Sequence, residues 1–236
     1  MYTSMFSLSP RILFIVPSAP WNIHRRQKIR DSQLYQFVRD PSNSASLLFY
    51  TGAQHEHETM GTVMEHAIQE ETRMYHDVIR IHFLDVYQNI RLKHVAMLKW
   101  VCTFCRHVGY VIRVDDDFVV DPRSLVKSIT RVAVKYDNFI VGKVQDVPGV
   151  ERRNVSKYYV SREEYAPDLF PPFALGGLLG YPYRTVALLY QAALRVTPLW
   201  LDDVYITGLC RERINATLLH DEEFITSFVH TGKEVI

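Results

Sequence analysis

The chain has 236 residues, 47% hydrophobic and 22% charged, with a formal net charge of +1. This is the composition of an ordinary globular protein, long enough for one large domain with a sizeable core. It has no basic stripe for nucleic acid and no apolar run near the ~20 residues of a membrane span, and its three cysteines are too few for a disulfide framework.

In chain order, Arg11 to Val16 is a β-branched run that reads as a first buried strand, closed by Pro17. It is too short for a signal-peptide core. Asn22 is a candidate N-cap for a helix running to about Val38. Arg25, Arg26, Lys28 and Arg30 on that helix are either a solvated face or a patch for phosphate, whose oxygens match guanidinium forks. Leu47 to Thr51 reads as the second strand. The His-rich segment Gly52 to Glu58, with His55 and His57, fits a solvated loop better than a metal site. Met60 to Tyr75 reads as an amphipathic helix and Val78 to Phe83 as the third strand.

Leu92 to His107 has a wide apolar face and reads as a well-buried helix ended by Gly109. Cys102 and Cys105 form a C-x-x-C within it. Zinc would need two further ligands at matching spacing, so buried thiols are the better reading. Tyr110 to Val120 then joins a buried strand to Asp115, Asp116 and Asp117. Three adjacent carboxylates repel one another, and a hard divalent cation with oxygen ligands would neutralise them. In an open α/β sheet, ligands gather at the carboxyl ends of strands, where these residues lie. A solvated acidic turn is the alternative.

Asp121-Pro122 caps a helix to Lys135, and Phe139 to Val141 is another strand, closed by Gly142. Lys143 to Phe173 is irregular and rich in aromatic residues and proline, and such rings can stack on sugar C–H faces or plug a core. At Gly176, Gly177 and Gly180 the backbone can approach a ligand closely. Thr185 to Arg195 is helical. Asp202 or Asp203 can cap a helix from Val204 to Arg213. Phe224 to His230 alternates enough for a last strand. Asn154-Val155-Ser156 and Asn215-Ala216-Thr217 are sequons that would be modified only in a secretory compartment. No internal repeat or linker divides residues 1–236, so the reading is one domain of α/β class with a largely parallel sheet and flanking helices.

Taken together, the motifs resemble the β-1,3-glycosyltransferases of glycosyltransferase family 31, over about residues 11–213. The resemblance rests on Arg25-Arg26-x-x-Ile29-Arg30, Phe83-Leu84-Asp85-x-Tyr87-x-Asn89, Leu92-Lys93 and Trp100-Val101-x-x-x-Cys105. It continues through Tyr110-Val111-x-x-x-Asp115-Asp116-Asp117, Lys157-Tyr158-Tyr159-Val160-Ser161-x-Glu163-Glu164-Tyr165, Pro171-Pro172-Phe173-x-x-Gly176-Gly177 and Asp202-Asp203-Val204-Tyr205. It implies a GT-A, Rossmann-like nucleotide-sugar fold, a UDP-sugar donor and a Mn²⁺ ion. Asp115 and Asp117 would hold the metal, with Asp117 as direct ligand and His230, or second His220, as a late histidine ligand. Arg25, Arg26, Arg30, Lys93, Asp115, Asp116, Gly176 and Gly177 would lie toward the donor. Asp203 would be the base of an inverting displacement, with Asp202 its neighbour.

The implied activity is transfer of a hexose in β-1,3 linkage, foremost galactose, to a glycan acceptor on glycoprotein or glycolipid in the Golgi lumen. N-acetylglucosamine or N-acetylgalactosamine transfer, or a catalytically silent glycan- or nucleotide-binding homologue, are the alternatives. The sequence departs from the family pattern in several places. Asp31-Ser32 replaces a usual Thr-Trp, Ala174 a cysteine and Leu178 a third glycine. The chain past Thr217 is shorter than the resemblance leads one to expect, and the membrane anchor usual in the family is not in this sequence.

Overall fold

The computed structural model describes residues 11–53 and 59–226. Among these residues seven strands form one sheet: β1 (Ile12–Pro17), β2 (Ala45–Ala53), β3 (Val78–Leu84), β4 (Tyr110–Val114), β5 (Phe139–Gln145), β6 (Phe173–Pro182) and β7 (Thr217–His220). Their order is β3-β2-β1-β4-β6-β5-β7. All run parallel except β6, which is antiparallel to both neighbours.

Alternation along β1 shows why the sheet has helices on both faces. Leu13 and Ile15 enter one apolar cluster with Met97, Leu98 and Val101 of α4 (Ile90–Phe104) and Val186 and Leu189 of α6 (Tyr183–Ala193). Ile12, Phe14 and Val16 enter the opposite cluster. There they meet side chains of α1 (Ile23–Arg30), α2 (Gln33–Arg39), α3 (Thr59–Tyr75) and α5 (Pro122–Ala133). Each fully buried aliphatic side chain contributes about 1.5–3 kcal/mol, so this double-sided burial fixes the strand register. It also gathers the carboxyl ends of the parallel strands on one edge, where the acidic triplet lies.

Several expectations are corrected. The helix expected from Asn22 to Val38 is two helices. Ser32 breaks it: its hydroxyl donates to the Ile29 carbonyl (2.6 Å) and accepts from the Leu34 amide (3.2 Å), ending one helix and capping the next. Asn22 makes no capping bond. The helix expected from Leu92 to His107 stops at Phe104, well before Gly109. The glycines after Phe173 belong to β6, a strand the sequence hid. A side chain at Gly177 would strike the Phe118 ring at 2.5 Å, and one at Gly180 would strike Val141 at 2.7 Å. Their neighbours fill the missing volume, as glycines in strands allow. The last strand is Thr217–His220; Phe224 sits in a helical turn, Glu223–Thr226, buried in the core, and residues 227–230 lie outside the described residues.

The remaining elements stand close to where the sequence put them. Asp121 caps α5, accepting from the Arg123 amide at 3.0 Å. Cys105 is buried, which pushes its thiol up to about 12, and Cys102, Cys105 and Cys210 are all unpaired with one another. No described helix is long and apolar enough to cross a membrane.

Candidate active site

The turn after β4 gives its three aspartates three different environments. Asp116 is buried and saturated: Ser18 (2.7 Å), Asn22 (2.8 Å) and Arg25 (2.8 Å) all donate to it. It ties the end of β4 to the β1–α1 turn and has little left to offer a ligand. Asp117 is 45% exposed and, among the described residues, has an edge contact to Arg25 at 3.3 Å as its one ion pair. Asp115 is partly covered and accepts from Arg113 at 3.2 Å. Burial, with the charges of Asp202, Asp117 and Asp116, pushes the Asp115 carboxyl up to about 6, against the pull of Arg113. Asp115 and Asp117 therefore have oxygen atoms to spare in a region of excess negative charge, which suits a hard cation. Among the described residues, no three His, Cys, Asp or Glu side chains converge on one point. Two carboxylates fit an ion that takes its remaining ligands from a bound diphosphate and water, as small divalent ions commonly do.

Behind this corner lies a buried pair. Asp202 contacts Arg113 at 2.5 Å and His94 at 3.1 Å. Burial opposes its charge, but Arg113 and His94 hold its carboxyl well below the usual range. Burial and the Arg113 charge hold His94 neutral. Its Nδ1 lies 2.8 Å from the Arg113 guanidinium and 3.1 Å from Asp202, and Nε2 faces the Tyr181 hydroxyl at 3.4 Å. Asp203 is the opposite case. Burial and the adjacent negative Asp202 push its carboxyl up to about 7. Its side chain accepts from the Val204 amide at 2.8 Å and so caps a π-helical segment, Val204–Cys210. Capping and chemistry thus coexist at Asp203. One ionised and one proton-seeking carboxylate, side by side, make an acid/base pair with separated roles.

Asp115, Gly176, Gly177, Asp202 and Asp203 all line one cleft of about 520 Å³, in the range of ligand sites. The antiparallel β6 makes this convergence. The Asp115 amide donates to the Gly177 carbonyl at 2.8 Å, and Gly176 lies against Asp203 and Arg113. Tyr87, Tyr158 and Trp200 form the outer wall.

Other predicted site residues stand behind the cleft. Arg26 is fully buried and donates to both Glu71 oxygens at 2.8 and 2.7 Å. Arg30 pairs bidentately with Asp77 at 2.9 and 2.7 Å. Neither presents a face to a phosphate, which corrects the placing of Arg26 and Arg30 toward the donor; Arg25 alone of the three pairs with the acidic triplet. Lys93 is buried, pairs with Asp85 at 2.8 Å and donates to the Ser18 carbonyl at 3.0 Å. It braces the β1–α1 turn. His220 is exposed at the end of β7, its Nδ1 accepting from the Val144 amide at 3.2 Å. His230, His55 and His57 lie outside the described residues. Sequence reasoning missed Arg113 and His94. An arginine within the apolar run Tyr110–Val114 was the available signal, since a strand buried on both faces holds a charge only for a partner.

A family profile described as galactosyltransferase matches residues 24–222. The chain is 27% identical over 207 residues to beta-1,3-galactosyltransferase 2 of Mus musculus, covering 87% of this chain and 48% of that one. It is 29% identical over 159 residues to beta-1,3-galactosyltransferase 1 of Mus musculus, covering 64% and 46%. The chain thus spans about half the length of the curated relatives it matches. Among solved structures it resembles the mannosyltransferase PcManGT from Pyrobaculum calidifontis, determined with GDP-Man and Mn2+. The TM-score is 0.51 at 12% identity, covering 91% of this chain and 55% of that one, a likeness of fold.

Proposed function

The chain belongs to the galactosyltransferase family, and on that premise we propose that it is an inverting, UDP-sugar-dependent hexosyltransferase that forms a β-1,3 linkage, with galactose as the donor sugar. The observation that carries this reading is the meeting of Asp115 and Asp203 in one cleft. An acidic corner suited to a metal-bound diphosphate faces a carboxylate whose proton affinity is tuned to about 7.

In the reaction, an acceptor hydroxyl attacks the donor's anomeric carbon as the bond to the UDP oxygen breaks. The hydroxyl proton passes to Asp203 and the bonding electrons leave with UDP. A base tuned near the working pH takes such a proton most effectively. Asp202, locked by Arg113 and His94, keeps its charge and sustains the proton affinity of Asp203. Asp115 and Asp117 would hold Mn²⁺, which when bound offsets the charge on the departing diphosphate. Asp116 orients the turn that carries them.

The acceptor is a glycan on glycoprotein or glycolipid, and the compartment that fits is the Golgi lumen. Donor choice between galactose and an N-acetylhexosamine needs only a few side chains in the pocket. The test is a donor screen with Mn²⁺ against a panel of glycan acceptors. Transfer from UDP-galactose is expected. Transfer from UDP-N-acetylglucosamine or UDP-N-acetylgalactosamine alone would reassign the donor. Mn²⁺-dependent UDP binding without transfer from any donor would make the chain a silent binding homologue.

A further inference from the structure

Beyond the outer wall of the cleft lies a second hollow, of about 430 Å³. The two share Tyr87 and Trp200, whose rings meet edge-on with centroids 5.8 Å apart. The remaining lining differs in kind from the cleft, with Asn154, Lys157, Tyr159 and Glu164 among it. Trp200 is fixed in place by a bond from its indole N–H to the Tyr159 carbonyl at 3.2 Å. Lys157 lies over the Tyr158 ring at 4.8 Å, so a second wall residue of the cleft is tied to the hollow.

A sugar presents apolar C–H faces and a rim of hydroxyls. A hollow that suits it combines aromatic walls with hydrogen-bonding groups of both senses. The hollow has both: tyrosine and tryptophan rings, a lysine that only donates and a carboxylate that only accepts. Successive units of a glycan are joined through a single oxygen. The unit after the accepting sugar must therefore lie next to the cleft, and this hollow adjoins the cleft across Tyr87 and Trp200.

Resting on the transferase reading above, we propose that the hollow is a subsite for the second sugar of the acceptor, so that the preferred substrate carries at least two sugar units. The Tyr87–Trp200 pair is the sill the chain crosses, and Lys157 and Tyr159 hold the second unit.

The test titrates the protein, in the presence of UDP and Mn²⁺, with two pairs of glycosides, binding being followed by saturation-transfer NMR. One pair is methyl β-galactoside and methyl β-lactoside; the other is methyl N-acetyl-β-glucosaminide and methyl β-chitobioside. Asn154 heads a sequon and lines the hollow, so the protein is made with this side chain unmodified and its mass is checked. For at least one pair, the disaccharide should bind about tenfold more tightly, roughly the effect of one good desolvated contact. Lys157→Ala and Tyr159→Ala should each erode that ratio and leave monosaccharide affinity unchanged. Equal affinity within both pairs, no binding by either disaccharide, or a ratio that survives both substitutions overturns the subsite. Transfer from UDP-galactose to the same glycosides separates the two claims: transfer with equal affinities leaves the transferase reading without the subsite, and the absence of both transfer and a disaccharide preference overturns both.

Discussion

Two clusters of charge lie at the same end of this molecule, and they are built on opposite principles. Beneath α1, Arg26 and Arg30 meet Glu71 and Asp77, all buried and all paired. Around the cleft, Asp115, Asp117, Asp202 and Asp203 have Arg113 and the edge of Arg25 as their guanidinium partners. The first cluster is balanced and holds its elements in place. The second is deficient in positive charge, and burial, with the neighbouring negative charges, pushes Asp115 up to about 6 and Asp203 to about 7. Charge balance, rather than the presence of charged residues, separates the supporting wall from the reactive surface. The two are mechanically linked, because Arg26 donates to Ser18 at 2.9 Å and Ser18 donates in turn to Asp116 at 2.7 Å.

The comparison sharpens most when one carboxylate on each side is changed. Asp203→Asn should cut transfer by about 10²–10⁴-fold, the usual worth of a positioned base, with UDP affinity and stability near wild type. Normal turnover in this variant would show that the proton goes elsewhere. Arg26→Met should do the reverse. Breaking a buried pair costs about 3–5 kcal/mol, read by urea denaturation, and exchanging Glu71→Leu in the same chain should recover part of the loss. A loss of activity with no loss of stability in Arg26→Met would move Arg26 from the wall to the cleft.

The pH profile gives the next largest effect. A base must be deprotonated to act, so the acceptor kcat/KM should rise about tenfold per pH unit below about 7 and level off above it. Asp202→Asn removes a negative charge beside Asp203 and lowers its proton affinity, so the acid limb should move to lower pH. A limb that stays fixed would mean the titrating group is not Asp203. The smallest contrast is between adjacent glycines. Gly177→Ala drives a methyl into the Phe118 ring and should cost about 1–3 kcal/mol. Gly176→Ala meets neighbours at 3.4–3.5 Å, ordinary contact, and should stay within about 0.5 kcal/mol.

Much of this fold was legible because its signals are local. The β-branched runs of β1, β4 and β5 and the Asp121-Pro122 cap each state their structure within a few residues. β6 was hidden because its glycines lack the side chains by which strands are recognised; Phe118, Val141 and Phe224 supply that volume from elsewhere in the chain. The acidic triplet and Asp202-Asp203 could be singled out by charge adjacency alone. Their division of labour could not, because it depends on Ser18, Asn22 and Arg25 reaching Asp116, and on His94 and Arg113 reaching Asp202, across as many as 108 positions. For the same reason Arg26 and Arg30, which looked like phosphate ligands beside Arg25, are distinguished from it only by the acids that α3 and the turn before β3 bring to them.

The account turns on the corner where Asp115 and Asp117 are left unsatisfied. It is tested most directly by titrating UDP into wild type and Asp117→Ala by calorimetry, with Mn²⁺ and then with chelator. Wild type should bind UDP more tightly with Mn²⁺, and Asp117→Ala should be indifferent to the metal while its unfolding transition is unchanged. Equal Mn²⁺ dependence in the two proteins would contradict the account.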